Sequence, residues 1–294
     1  MRHRIADVDG PVHYIDYGGD GRPMLMVHGL GGNALNWMAV APELANQYHA
    51  IAIDLAGFGQ TPLYHRSATV GANAGLVHRF IETVIGQPVA LMGNSMGGHI
   101  SILESAEHPE WVTECILVDP AVPVTRPHPV MIGVAAAISI PGLAEVLFER
   151  RLKALDAETL VRQTLALVTA DASRVDPKIV EAHVQLTRER GHLGPQNSRA
   201  FIQASRSIGL RMAQPRFWRR VQQVTAPTLV IHGSRDIVIP LSAARELVRR
   251  RPDWTLRVLE GLGHVPMIEA PEAFLAAVSE WQASRITPEP AAAS

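Results

Sequence analysis

Ser95 lies in Gly93-Asn94-Ser95-Met96-Gly97-Gly98, where an apolar run suited to a buried strand meets a segment of helical character, 97–107. A strand that turns sharply into a helix holds the turn residue in a strained backbone. Glycines two positions before and after it let the neighbouring backbones close in. Such a turn lifts the serine oxygen above the sheet edge and sets the first N–H groups of the helix beside it. The chemistry this suits is nucleophilic attack. A serine hydroxyl is a poor nucleophile at neutral pH, so it needs a base within hydrogen-bond reach and an acid to orient that base. Of the 13 histidines, His264 is the candidate base, because Gly261-Leu262-Gly263-His264-Val265-Pro266 forms a loop just past a strand end. His28 and His232 each precede a glycine at a strand end and suit local hydrogen bonds that fix loops, and His99 falls in the first turns of the helix after Ser95. The candidate acid is Asp236, in His232-Gly233-Ser234-Arg235-Asp236, directly after an expected strand at 227–231. Asp119, after the preceding strand, reaches the same edge and is the rival; either aspartate also suits an ordinary turn or helix cap.

A carbonyl under attack develops a negative oxygen that needs two donors. The backbone N–H of Met96 is one. The other is expected in His28-Gly29-Leu30-Gly31-Gly32, at Leu30, with Gly31 as a substitute. Glycine in that loop leaves room for the oxygen, although a plain glycine turn has the same composition. The spacing of these glycines does not match a dinucleotide-binding turn.

Apolar runs and turn residues show which elements must position these groups. Segments 4–8 and 12–17 read as two strands joined at Asp9-Gly10. Further strands are expected at 23–27, 48–53, 88–93, 114–118, 227–231 and 254–259, and helices at 35–46, 71–85, 97–107, 241–251 and 271–283. Strands that alternate with helices imply a mostly parallel sheet covered on both faces. From 122 to 221 the alternation stops, and helical segments follow one another, punctuated by Pro and Gly. That block reads as an inserted helical cap over the carboxyl ends of the strands, where open α/β sheets bind ligands. The core is then 1–121 together with 222–286, and 287–294 is expected to be a disordered tail. The segment 130–140 is apolar nearly all round, so an exposed single helix is not expected there. Met131 and Ile140, at its two ends, are candidates to line a substrate cavity.

Composition removes several classes of function. Hydrophobic residues make up 47% and charged residues 19% of 294, which is globular and ample for a core. A net charge of −1 argues against nucleic acid as a partner. The single Cys115 excludes an internal disulfide and a cysteine-based metal cluster, and it is expected to pack in a buried strand. No signal-like apolar segment opens the chain and no apolar run is long enough to span a bilayer, so a cytoplasmic location is the default expectation.

Taken together, His28-Gly29-Leu30-Gly31, Asp54-Leu55-Ala56-Gly57-Phe58-Gly59, Gly93-Asn94-Ser95-Met96-Gly97-Gly98, Gly233-Ser234-Arg235-Asp236 and Gly263-His264 resemble the α/β-hydrolase fold over nearly the whole chain. The order Ser, Asp, His is the order of that superfamily. The resemblance implies a serine hydrolase with Ser95, Asp236 and His264 as its catalytic set. It assigns Asp54 to Gly59 a structural turn, and it calls for no metal or organic cofactor. The segment around Ser95 is also similar to that of meta-cleavage product hydrolases, which break C–C bonds. Those usually carry a longer Gly-rich loop and a Trp beside the catalytic His, whereas here Gly32-Asn33-Ala34 closes the loop and Val265 follows His264. The departure favours an ester hydrolase acting on a small to medium hydrophobic ester, with C–C cleavage or a non-catalytic ligand-binding homologue as alternatives. Haloalkane dehalogenases and epoxide hydrolases resemble the same scaffold but attack with Asp, which Ser95 argues against. Cofactor-free haloperoxidases share the Ser, Asp, His set, which leaves a perhydrolase side activity open.

Overall fold

The computed structural model describes residues 1–123, 126–140, 142–191 and 195–286; the expected disordered tail, 287–294, lies outside them. Eight strands form one sheet in the order β1-β2-β4-β3-β5-β6-β7-β8. They are β1 (Arg2–Asp7), β2 (Pro11–Gly18), β3 (Arg22–Val27), β4 (Tyr48–Ile53), β5 (Val89–Asn94), β6 (Val112–Val118), β7 (Thr228–Gly233) and β8 (Thr255–Leu259). The pairs β1–β2 and β2–β4 are antiparallel, and every other pair is parallel. Asp9, with φ 54°, and Gly10 turn the hairpin between β1 and β2.

The central strands are apolar on both faces, as parallel strands between two helical layers must be. In β3, Leu25 and Val27 face one core, and Met24 and Met26 face the other. Helices α2 (Val70–Phe80), α3 (Met96–Glu107) and α10 (Ser242–Arg250) cover the first face through Leu76, Phe80, Ile100, Leu103 and Leu247. Helices α1 (Ala41–Leu44), α11 (Pro266–Glu269) and α12 (Pro271–Ile286) cover the second through Leu44, Met267, Phe274 and Trp281. Cys115 is fully buried in β6.

The helix expected at 35–46 is divided into a 3-10 turn, Ala34–Trp37, and α1. Pro42 lacks an N–H and its ring would clash with the carbonyl of residue 38, so a continuous helix cannot pass it. Between β6 and β7 the described residues form helices α4 (Pro129–Ser139), α5 (Leu143–Ala154), α6 (Ala157–Val168), α7 (Pro177–Arg190), α8 (Pro195–Met212) and α9 (Arg216–Gln223) and no strand. Polar N-caps start some of them: Asp156 accepts from Thr159 N, and Asp176 accepts from Lys178 N ahead of Pro177. None of the described helices is by itself long and apolar enough to cross a membrane.

The chain runs from β3 to β4 on one side and returns to β5 on the other, so the strand order reverses beside β3. Ser95 follows β5 at this switch point, where the loop after β3 and the end of β6 flank it. A crevice at the carboxyl edge of such a sheet is where α/β proteins place ligands.

Candidate active site

Ser95 occupies φ 55°, ψ −115°, a backbone region that residues with a side chain rarely adopt. Its neighbours hold it there. Ser95 N donates to Val118 O at 2.9 Å, and Ser95 O accepts from Ala121 N at 2.9 Å, so the end of β6 clamps the turn on both sides. A Cβ on Gly97 would lie 2.2 Å from Val27 O, which shows how closely the start of α3 meets the end of β3. A Cβ on Gly29 would lie 3.0 Å from Ser95 Cβ, so the loop carrying Leu30 abuts the serine. Met96 opens α3, and its N–H is among those a helix leaves unpaired in its first turn.

His264 and Asp236 form a buried pair, with Nδ1 and Oδ2 2.7 Å apart. The imidazole therefore carries its proton on Nδ1 and donates it to the carboxylate, leaving the Nε2 lone pair free. The other oxygen of Asp236, Oδ1, accepts from Val238 N at 2.7 Å and Ile239 N at 3.0 Å. Burial alone would raise the Asp236 carboxyl, but the His264 and His232 imidazoles and the Ile239 N–H hold it below the usual range.

Asp119, the rival acid, lies in the same cluster with a different partner. It sits at φ 45° just past β6, fully buried, and its Oδ1 accepts from Gly233 N at 2.9 Å. Its Oδ2 receives no hydrogen bond. Burial, and then the neighbouring Asp236 charge, push its carboxyl well above the usual range. His232 stays local: Nε2 donates to Ile239 O at 2.9 Å, and burial lowers its tendency to gain a proton. His28 donates from Nδ1 to Gly29 O at 2.7 Å and accepts Leu55 N on Nε2, bracing the loop after β3. His99 donates to Ala121 O at 2.8 Å and stacks on Phe217; burial pushes it down to about 4.

Two residues that sequence reasoning missed tie these parts together. Asn94 Nδ2 donates to His264 O at 3.0 Å and to Val118 O at 3.2 Å, joining the serine turn to the histidine loop. Glu269 is buried, with Oε2 accepting Gly263 N at 2.8 Å and Ala170 N at 3.1 Å and Oε1 accepting Asp171 N at 3.0 Å. It thereby fastens the His264 loop to the end of α6, where His264 N also donates to Val168 O at 2.7 Å. The available signal was a lone carboxylate in the apolar stretch Val265-Pro266-Met267-Ile268-Glu269-Ala270. Asp54 behaves as a turn residue: it accepts from Ala34 N and Gln60 N and pairs with His13.

The expectation for 130–140 needs correction. No residue of α4 is buried, Met131 is only partly covered and Ile140 is 50% exposed. The physical reason is geometric: α4 packs on α5 and α8, and two neighbours cannot cover a surface that is apolar all round.

Among the described residues, two side-chain groups bring possible metal ligands within 4.8 Å of one another: Asp119, His232 and Asp236, and His78, Glu104 and His108. In the first, Nε2 of His232 and Oδ1 of Asp119 are already engaged by protein donors or acceptors. In the second, between α2 and α3, the His78 and His108 rings stack 3.6 Å apart at 15°, so their lone pairs run side by side and do not converge.

Residues 24–277 match the Alpha/beta hydrolase family, and the chain belongs to that family. It is a hydrolase by that membership. A 2-hydroxy-6-oxo-6-(2'-aminophenyl)hexa-2,4-dienoic acid hydrolase of Metapseudomonas resinovorans is 31% identical over 264 residues, covering 87% of this chain and 82% of that protein. Among solved structures, a membrane phospholipase A described as a bacterial virulence factor superposes with a TM-score of 0.73 at 26% identity, over 96% of this chain and 86% of that one. A thermophilic esterase from Thermogutta terrifontis gives a TM-score of 0.73 at 22% identity, over 98% of this chain and all (100%) of that one, and shows the shared fold.

Proposed function

We propose that the protein is a serine hydrolase that cleaves a carboxylic ester of a small to medium hydrophobic substrate through an acyl-enzyme. The observation that carries this reading is the strained Ser95 turn tied, through Asn94, to the loop of the His264–Asp236 pair. Ser95 Oγ attacks the ester carbonyl while Nε2 of His264 takes its proton. Asp236 stabilises the imidazolium, and the N–H groups of Met96 and Leu30 bind the oxyanion. Collapse expels the alcohol, which takes the proton from His264. Water then loses a proton to His264 and attacks the acyl-enzyme, and the acid leaves as Ser95 regains its hydrogen. The helical segment 122–221 acts as the cap over this edge of a core made of 1–121 and 222–286.

A second reading is hydrolysis of a C–C bond in a dienone acid, favoured by the 31% identity to the hexadienoic acid hydrolase. The same serine, histidine and donors would serve it. One experiment separates the readings. Wild type and Ser95→Ala are given a panel of p-nitrophenyl esters and a chromophoric 2-hydroxy-6-oxo-dienoate, and Ser95 labelling by a fluorophosphonate is followed by mass spectrometry. Labelling with Ser95-dependent ester turnover supports the ester reading. Serine-dependent bleaching of the dienoate without ester turnover supports C–C cleavage. Absence of labelling on folded protein refutes both and favours a ligand-binding homologue.

A further inference from the structure

The outer side of α4 and α5 is an apolar surface that the protein leaves uncovered. Val130, Ile132 and Val134 on α4 and Leu143, Val146 and Leu147 on α5 are each 38–54% exposed. Scattered exposed aliphatic residues are ordinary, but Val130 and Val134 share one side of α4, Leu143, Val146 and Leu147 share one side of α5, and the two helices pack on each other, a concentration of the kind that marks an interaction site. Together the two helices are apolar and long enough to be compared with a membrane span, yet they bend by 109° at their junction.

The wedge is built, not frayed. Arg206 of α8 donates from Nε to Ile138 O at 2.9 Å and pairs with Glu145 at 3.0 Å, which locks the corner between the helices from beneath. Phe148 of α5 stacks on Phe201 of α8, ring centroids 4.8 Å apart. Phe201 in turn lies against the loop after β3: a Cβ on Gly31 would meet its ring at 3.2 Å. The patch is therefore anchored to the edge of the sheet that carries Ser95.

Charge indicates what covers it. On α5 the stripe Leu143, Val146, Leu147 continues at helical spacing into Arg150 and Arg151, with Lys153 just beyond, all exposed. Lys153 is one of only two lysines in a chain of net charge −1. Arg126 and His128 flank the start of α4, also exposed. Of the two acids on α5, Glu145 is occupied by Arg206, and Glu149, partly exposed beside Arg150, leaves Arg150, Arg151 and Lys153 in excess. An aliphatic face bordered by cations matches a bilayer whose headgroups are anionic, with the aliphatic groups entering the acyl boundary and the long basic side chains reaching the phosphates. A second copy using the same face would bring its own cations to this border.

We propose that α4 and α5 form a docking surface for an anionic lipid bilayer, which holds the Ser95 edge of the sheet close to the membrane. The test is flotation of the full chain with vesicles of phosphatidylcholine alone or mixed with phosphatidylglycerol. Wild type is expected to float with the mixed vesicles, more weakly with phosphatidylcholine, and less at high salt. Arg150→Gln should cost about fivefold in partitioning onto the mixed vesicles. The double variant Val146→Glu, Leu147→Glu should lose flotation while keeping its circular dichroism and its turnover of a water-soluble ester. Ser95→Ala should float like wild type, so failure of the catalytic reading and failure of this one are distinguishable. The proposal is overturned if wild type floats with neither vesicle, or if the double variant floats as well as wild type. It is also overturned if equilibrium sedimentation shows a dimer, without flotation, that Leu147→Glu splits; a second copy would then be the occupant.

Discussion

Replacing Asp236 with asparagine tests the geometry of the site more sharply than removing a group would. The two oxygens of Asp236 have different duties. Oδ1 accepts two backbone N–H groups, from Val238 and Ile239, and Oδ2 accepts the Nδ1 proton of His264 at 2.7 Å. An asparagine amide must put its oxygen where the two N–H groups are, because an NH₂ there would face two donors. Its nitrogen then faces Nδ1 of His264 and donates to it. The histidine is forced into the tautomer with its proton on Nε2, where it cannot accept from Ser95. The expected loss in kcat is about 10⁴, or roughly 5 kcal/mol of barrier, with the fold unchanged. Asp119→Asn runs the other way. Its oxygen can keep the Gly233 N–H, and the neutral amide replaces a carboxyl whose charge is already disfavoured by burial and by Asp236, so a loss of less than about tenfold is expected. The assay is steady-state turnover of a p-nitrophenyl ester beside thermal melts of all three proteins. Comparable loss at Asp119 with little at Asp236 refutes the assignment of the acid.

Ser95→Ala and His264→Ala should each remove nearly all ester turnover, and the double variant should be little worse than either; multiplicative losses would show that the two residues do not act as a unit. Glu269→Gln necessarily turns an NH₂ toward at least one of three backbone donors, so it should destabilise by about 1–3 kcal/mol and loosen the His264 loop; a melting curve matching wild type would contradict this. Glu104 is buried, and burial, opposed by its hydrogen bond to His78, pushes its carboxyl up to about 7. A raised carboxyl pKa contributes stability below the unfolded value that is lost as pH rises through the folded value. Glu104→Gln should therefore gain on wild type between about pH 5 and pH 7, by up to about 3 kcal/mol, and hold that gain above pH 7. Melts whose gap does not vary with pH would refute the burial account.

The elements of the core were legible because their causes are local. Alternating apolar residues in β3 serve two faces, the apolar runs of β3, β5 and β7 meet a glycine within two residues, and the turn around Ser95 shows in five adjacent residues. Where a local cause was overlooked, the reading slipped. Pro42 divides the helix expected at 35–46, and four residues, Pro266–Glu269, form a helix where only a loop was expected.

What the sequence alone determined was the order of strands and helices, the family pattern and a short set of chemically competent residues, since each depends on neighbours a few positions apart. It favoured Asp236 as the acid but kept Asp119 as a rival, because both follow strands that end at the same edge. That choice belongs to the loops, which bring Oδ2 of Asp236 to His264 and leave Asp119 against Gly233 and a second carboxylate. The links through Asn94 and Glu269 join segments about 170 and 100 residues apart, and their donors and acceptors are chosen by packing. The exposure of α4 is likewise a tertiary outcome. An apolar helix predicts burial, but only the number and placement of its neighbours decide how much of its surface they can cover.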